Sequence, residues 1–289
     1  MKNTFNTPTF SELFPNEKRF TKILREYLRY HLHKIWCSSE CYGLNDYLAN
    51  NPLWARLFKQ DLYRFNTLLE TYCNKKFNKK ERLNAIITHF NCAEKLFGSA
   101  YCNQLVEDRE ICLITLNDEV SIYLSINQID PLEGFFSLNI QNNQKEHIYD
   151  SSFTFLSKDQ LLISSIQGPN TEFSQSLIKS ATKQLYGVRP MFMLVNIFKL
   201  IAQYLNLELL GIHHKNQAKY RWNDHSKLLF NYNLFWQENG GTLNSNNYWR
   251  LPTIVEIKEL STIPSKKRSM YKKRYELFEK IEQELKELW

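Results

Sequence analysis

The stretch FTFLSKDQLLISSIQGPNTEFSQSLIKSATKQLYGVRPMFMLVNIFKLIAQYLNLELLGIHH (153–214) decides the fold. Leu161 to Ile166 is more continuously apolar than its neighbours and reads as a central strand. Gln167-Gly168 turns the chain. Ser174 is placed to cap a helix whose inner face is Leu177, Ile178, Ala181 and Leu185, and Gly187 is placed to end it in a left-handed conformation. Pro190 suits the first turn of a second helix, which carries Met191, Leu194, Val195, Phe198, Ile201, Ala202 and Leu205. Asn206 stops that helix, and Leu207 to Ile212 forms another strand ending in His213-His214. A strand, a turn, two helices and a second strand build a crossover. Several α/β folds place a ligand pocket at the end of such a strand.

Working outward, the apolar period is two between residues 110 and 167. Val120, Ile122, Leu124 and Ile126 alternate with Ser121, Tyr123 and Ser125, and Phe136, Leu138 and Ile140 repeat the pattern. Asn117-Asp118 reads as a hairpin turn, and Pro131 and Gly134 punctuate the next connection. The expectation is a meander of strands over 110–116, 119–126, 134–141, 147–156 and 160–167. Before residue 108 the period is helical. Phe20, Leu24, Tyr27 and Leu28 mark the inner face of a helix from about Glu17 to Lys34. Pro52 starts another, and Leu62, Phe65, Leu68, Leu69 and Tyr72 share a further helix face. Asn78 and Glu81 form a capping box ahead of the stripe Leu83, Ile86, Ile87, Phe90 and Leu96. Gly240-Gly241 marks a turn, and a last helix runs from about Lys266 to Leu288 with the stripe Tyr271, Arg274, Phe278, Ile281, Leu285 and Leu288. The fold class is therefore α+β. A helical N-terminal region (1–108) precedes an α+β domain (109–289), in which helices lie on a largely antiparallel mixed sheet.

Composition excludes several classes. With 43% hydrophobic and 14% aromatic residues in 289, the chain has the apolar content for a substantial core and is not low-complexity. Residues 1–10 hold no apolar run, so they do not read as a secretory signal. No window approaches the roughly 20 apolar residues of a membrane helix. Cys37, Cys41, Cys73, Cys92, Cys102 and Cys112 form no CxxC pair and read as reduced thiols, mostly buried, so no metal site is expected. The net charge of +7 is compatible with an acidic partner but also common without one.

Three segments read together resemble the VirK/YbjX family of bacterial proteins. They are Leu161 to Gly168, Ile178 to Pro190, and Phe235 to Gly241 combined with Pro264 to Tyr271. The resemblance implies a Gram-negative cytoplasmic protein linked to virulence, envelope maintenance and antimicrobial-peptide tolerance, with no assigned reaction. The meander, turn, helix and strand are also similar to the arrangement in GNAT acyltransferases. That likeness implies an acyl-transfer site with acyl-CoA or an acyl carrier protein as donor, its phosphates held by turn amides and a helix N-terminus. The loop departs from that pattern, since Gln167-Gly168-Pro169-Asn170-Thr171 has a single glycine and Pro169 lacks an amide donor.

The candidate site residues follow. Gln167 and Gly168 either line a ligand or only turn the chain. Lys179 and Lys183 share a helix face and either hold an anionic small molecule or are simply solvated. Arg189 precedes a helix start and offers a planar fork for phosphate or carboxylate. His213 or His214 is the candidate general base, with an ordinary pKa near 6.5. Adjacent strand residues face opposite ways, so one of the two at most enters a given pocket. Gln167, Arg189 and one of these histidines are expected to approach one cavity.

Lys266, Lys267, Arg268, Lys272, Lys273 and Arg274 form the strongest charge cluster, interleaved with Tyr271 and Tyr275. Lys266, Lys267, Lys272 and Lys273 are candidates for an anionic partner, with Arg268 and Arg274 facing inward. Two functions stay open: a cytoplasmic, envelope-associated protein with a degenerate or genuine acyl-transfer site, and a non-catalytic protein that uses this basic helix on an anionic partner. A nucleic-acid regulator ranks below both, because no helix-turn-helix, RNA-recognition or zinc pattern occurs. The expected location is the cytoplasm, with peripheral contact to the anionic inner-membrane surface.

Overall fold

The computed structural model describes residues 4–15, 18–170, 172–220 and 230–288. Glu17 and Thr171, both named above, lie outside the described residues. Seven helices open the fold: α1 (Phe10–Leu13), α2 (Phe20–Trp36), α3 (Ser38–Asn50), α4 (Pro52–Gln60), α5 (Asn66–Leu69), α6 (Lys79–Phe97) and α7 (Ser99–Asp108). The capping box of α6 forms on both sides, with Asn78 accepting from Lys80 and Glu81 and Glu81 reaching back to the Asn78 N–H.

Two expectations in this region are corrected. Leu62 to Tyr72 is not one helix but a 3-10 turn (Leu62–Phe65) running into the four-residue α5. Phe65, Leu68, Leu69 and Tyr72 are buried all the same, because short turns, too, can set side chains three and four apart. The face of α2 with Phe20, Leu24, Tyr27 and Leu28 does not point inward; all four side chains are exposed. The face of α2 that docks on the protein carries Glu26 and Tyr30 instead.

The strands are β1 (Glu110–Asn117), β2 (Val120–Ile126), β3 (Phe136–Asn142), β4 (His147–Ser157), β5 (Gln160–Ile163), β6 (Glu208–Ile212), β7 (Thr242–Leu243) and β8 (Tyr248–Leu251). They form one sheet in the order β1-β2-β3-β4-β5-β6-β8-β7. Every pairing is antiparallel except β5 with β6, which the crossover through α8 (Ser174–Gln184) and α9 (Pro190–Tyr204) makes parallel. The fold is thus α+β with a mostly antiparallel mixed sheet. Gly187 and Asn206 take the left-handed conformations that end the two crossover helices. Ser174 does not cap α8; it is the first helical residue, and its hydroxyl donates to the Pro169 carbonyl.

β5 stops at Ile163 rather than reaching Gln167, because the chain bulges. The N–H groups of Ser164 and Ser165 both turn to the Ser152 carbonyl. Pairing with β4 then resumes where Gln167 and Asp150 exchange both backbone hydrogen bonds. β6 does not follow this shift. Beyond the pair Ile163 and Gly211 the two strands part, and the Tyr232 hydroxyl takes the Ile166 N–H at 3.1 Å. Tyr232 opens α10 (Tyr232–Glu238).

One face of the sheet is apolar. Leu113, Leu124, Leu138, Phe153 and Leu161 meet Phe97 of α6 and Phe198 and Ile201 of α9 there. The last helix, α11 (Ser265–Leu288), packs on β1 and α9 through Leu277, Phe278, Ile281 and Leu285. The segment between α5 and α6 is also tied to the sheet, by polar contacts. Thr154 donates to the Tyr72 hydroxyl at 3.0 Å, and Asn74 donates to the Tyr248 hydroxyl at 2.7 Å. The opposite face of β1 to β4 carries polar side chains, and the candidate site lies there.

Candidate functional site

Cross-strand partners share a face, so the pairing sets the site. Glu110 and Ser125 pair, as do Ser125 and Ser137, Asn139 and Asp150, and Gln141 and His147. On an ordinary strand His147 and Asp150, three apart, would point to opposite faces. Between Ile140 and Gln141 the register slips, and Ile148 becomes an extra residue of β4. This bulge returns His147 to the face of Asp150, and His147 Nδ1 lies 2.8 Å from Asp150 Oδ1. The hydrogen bond to Asp150 raises the His147 pKa, while partial burial opposes it.

The row beneath is buried and hydrogen-bonded. Asn139 donates to Ser125 Oγ at 2.7 Å, and the Gln141 amide nitrogen lies 2.8 Å from both Glu110 Oε2 and Asn139 Oδ1. An amide nitrogen carries two hydrogens, so these acceptors use both. His147 Nε2, 3.3 Å from the same nitrogen, is left without one from it. With Asp150 holding Nδ1–H, Nε2 is the basic nitrogen and can take a proton.

A cavity of about 710 Å³ opens over this row. Its floor includes Glu110, Ser137, Asn139, His147 and Asp150, and Gln167, Gly168, Pro169 and Leu177 form a wall. Gln128 and Ile129 of the β2–β3 connection also line it. Among its lining residues the charged side chains are Glu110, Glu146 and Asp150, with His147. That lining suits hydroxyl and amine groups better than a phosphate. The Gln167 side chain turns away, donating to the Glu133 carboxylate, which also accepts from Gln217. Glu133 is buried, and burial raises its pKa.

A second cavity, of about 610 Å³, lies between the start of α9, the end of α10 and α11. Arg189, Lys199, Lys258 and Arg274 line it against Glu238 and Glu256, so its balance is basic. Lys199 is buried and donates to the Asn239 carbonyl at 3.1 Å; burial lowers its pKa. Arg274 is fixed by two bonds to the Tyr186 carbonyl, at 3.1 and 2.8 Å, and by stacking over Tyr271.

The sequence candidates divide among these places. Gln167 and Gly168 line the first cavity and Arg189 the second. His213 and His214 line neither. His213 caps a short turn, its Nδ1 accepting from the Lys215 N–H at 3.2 Å. Partial burial, with Lys76 and other cations near, lowers its pKa. Lys179 and Lys183 stand exposed on α8, outside both cavities. Lys266, Lys267, Lys272 and Lys273 are exposed along α11; Arg268 is exposed too, but donates to the carbonyls of Ile263 and Ser261. His147, Asp150, Glu110 and Lys199 were not singled out by sequence reasoning. The signal that could have found the floor is the polar run Ser137, Asn139 and Gln141 inside an otherwise apolar strand.

The second of the three segments that carried the family resemblance contributes Gly187, Val188 and Arg189 to the second cavity, and the third contributes Gln237 to Gly240 and Tyr271. The profile of a family described as a protein of unknown function, DUF535, matches residues 19–287. The chain belongs to the DUF535 family. It is 48% identical over 289 residues to an uncharacterized protein of Haemophilus influenzae, covering 99% of each chain. It is 28% identical to a Mannheimia haemolytica protein named "Membrane protein LapB", over 76% of this chain and 96% of that one. The uncharacterized protein YbjX of Escherichia coli is 27% identical over 58% of this chain and 52% of its own length. No solved structure matches the chain significantly. Among the described residues no group of three or more side chains is arranged to hold a metal ion, and no helix is long and apolar enough to cross a membrane.

Proposed function

We propose that this DUF535 protein is a group-transfer enzyme of the cell envelope and that the sheet-face cavity receives an acceptor bearing a hydroxyl or an amine. The observation that carries the reading is the His147–Asp150 pair, opening into a cavity whose wall is the Gln167-Gly168 turn. His147 Nε2 takes the acceptor's proton as the acceptor attacks an acyl carbon. The thioester C–S bond breaks, and the departing thiolate takes the proton from His147. Acyl transfer is the reaction class implied by the GNAT resemblance, and the parallel β5–β6 pair joined by the helical crossover supports it. The donor would be acyl-CoA or an acyl carrier protein. The basic cavity of Arg189 and Lys199, on the α9 side of the sheet, suits phosphate groups. The relative named as a membrane protein supports work at a membrane, and the VirK/YbjX resemblance implies the cytoplasmic face and a link to virulence and antimicrobial-peptide tolerance.

The test is thiol release from a panel of acyl-CoA thioesters, offered with amino sugars and alkyl amines as acceptors. The expected result is release that needs an acceptor and falls at least a hundredfold in His147→Ala, within the range typical of general-base catalysis. Release that is equal in the two proteins, or absent across the panel, rejects the reading. The second reading is a binding protein that uses α11 on an anionic partner. It is favoured by the exposure of Lys266, Lys267, Lys272 and Lys273 on one helix.

A further inference from the structure

Helix α2 is amphipathic, but it is mounted inside out. Phe20, Leu24, Leu28, Leu32 and Ile35 follow one another at four, four, four and three residues, which makes a continuous stripe. All five are exposed, from 50% at Leu24 to 76% at Phe20. Tyr27 and Trp36 border the stripe and are also exposed. The side that docks on the protein carries Glu26 and Tyr30. Glu26 is buried there and holds Arg25 at 2.9 Å and Arg29 at 3.3 Å. The Tyr30 hydroxyl donates to the Pro8 carbonyl at 2.6 Å and accepts from Lys34 at 3.0 Å. The bond from Tyr30 to Pro8, and an Arg29–Glu70 contact at 3.8 Å, reach outside α2 and fix its rotation, so the apolar stripe cannot roll inward without breaking them. A contiguous apolar surface of this kind marks an interaction site.

We infer that α2 is an interfacial helix that seats its apolar stripe in an anionic lipid surface. Charge selects this occupant. Within α2, Lys22, Arg25, Arg29 and Lys34 stand against the single acid Glu26, and Arg19 lies at the helix start. A second copy laid stripe to stripe would bring two such basic helices together. Anionic headgroups meet the same charges with the opposite sign. At 17 residues the helix is about 25 Å long, enough to lie in the interface plane and too short and too charged to span it. Binding through α2 combines apolar burial with charge, whereas the basic run of α11 offers charge alone. The inference does not depend on the chemistry of either cavity.

The experiment is co-sedimentation of the full chain with vesicles of phosphatidylcholine, with and without 30% phosphatidylglycerol, at low and at 0.5 M salt. The native protein should bind the anionic vesicles and keep part of that binding at high salt. Leu24→Ser, Leu28→Ser and Leu32→Ser together should weaken binding at least tenfold. The circular dichroism and urea midpoint should stay native, because these side chains are already in water. A second variant, Lys272→Glu with Lys273→Glu, should keep the salt-resistant part. The inference is overturned if the triple variant binds as the native protein does, or if the α11 variant alone abolishes binding. It is equally overturned if the native chain ignores vesicles and forms a dimer in analytical ultracentrifugation that the triple variant loses, since the stripe is then a seam between two copies.

Discussion

His147 and Asp150 meet at 2.8 Å because Ile148 is one residue too many for the β3–β4 ladder. The bulge makes a strand do what alternation forbids, and it points an imidazole and its carboxylate at the same cavity.

Asp150→Asn should bring the His147 pKa down, measured by the pH titration of its ring protons in NMR. Asp150 raises the folded value above the unfolded one near 6.5, so the stabilisation from this pair is present below that pH. It fades as pH rises through the folded value. Asp150→Asn should remove that dependence. An unchanged titration would mean the pair does not form in solution.

His89 should make the protein acid-sensitive in the opposite sense. It is fully buried, its Nδ1 accepts from the Phe155 N–H at 3.2 Å, and burial brings its pKa down to about 3. The unfolded chain protonates near pH 6.5, so stability is full above that and is lost as pH falls toward the folded value. The loss is about 1.4 kcal/mol per pH unit between these limits. His89→Gln, which can still accept from Phe155, should flatten the slope of urea-derived stability between pH 6 and 4. An equal slope in both proteins would refute the assignment.

Apolar periodicity located the helices and the meander well, because period 3.6 and period two leave different traces in the side chains. It could not say what covers a stripe, so the outward face of α2 was read as inward. Alternation also predicts no contact between residues three apart on a strand, so the His147–Asp150 pair was invisible. Bulges come from pairing, and one sequence does not show its pairing. The same reason shortened β5 at Ser164. Gln167, Gly168 and Arg189 were legible as candidates because a turn after a strand and an arginine before a helix start are local signs. Whether two such signs share a cavity depends on the crossover between them.

Gly211→Ala should destabilise the fold by about 1–3 kcal/mol, the range for overpacking a filled core. An added Cβ would meet the Trp236 indole at 2.6 Å. That indole is held in place by its N–H bond to the Ile212 carbonyl at 2.8 Å. A urea midpoint equal to that of the native protein would show that Trp236 can move aside.

Arg189→Ala should weaken binding of inorganic pyrophosphate by about 1.5–3 kcal/mol, the range for a hydrogen bond to a charged group. Calorimetry checks it. Equal binding by both proteins would take Arg189 out of any anion site.

Lys272→Glu with Lys273→Glu should leave the urea-derived stability within about 0.5 kcal/mol of native, as expected for exposed sites. A large loss would mean that this part of α11 is docked.

The placement of α11 has a consequence for synthesis. Lys280 donates to the Thr115 carbonyl at 2.6 Å, so a side chain near the end of the chain completes the surroundings of its first strand. During translation β1 and its neighbours emerge well before the helix that shields them. Until Leu277, Phe278, Ile281 and Leu285 arrive, part of the apolar sheet face stays bare on the ribosome. A nascent chain interrupted before residue 265 is therefore a natural client for chaperones and proteases, even though every residue lining the first cavity has already been made.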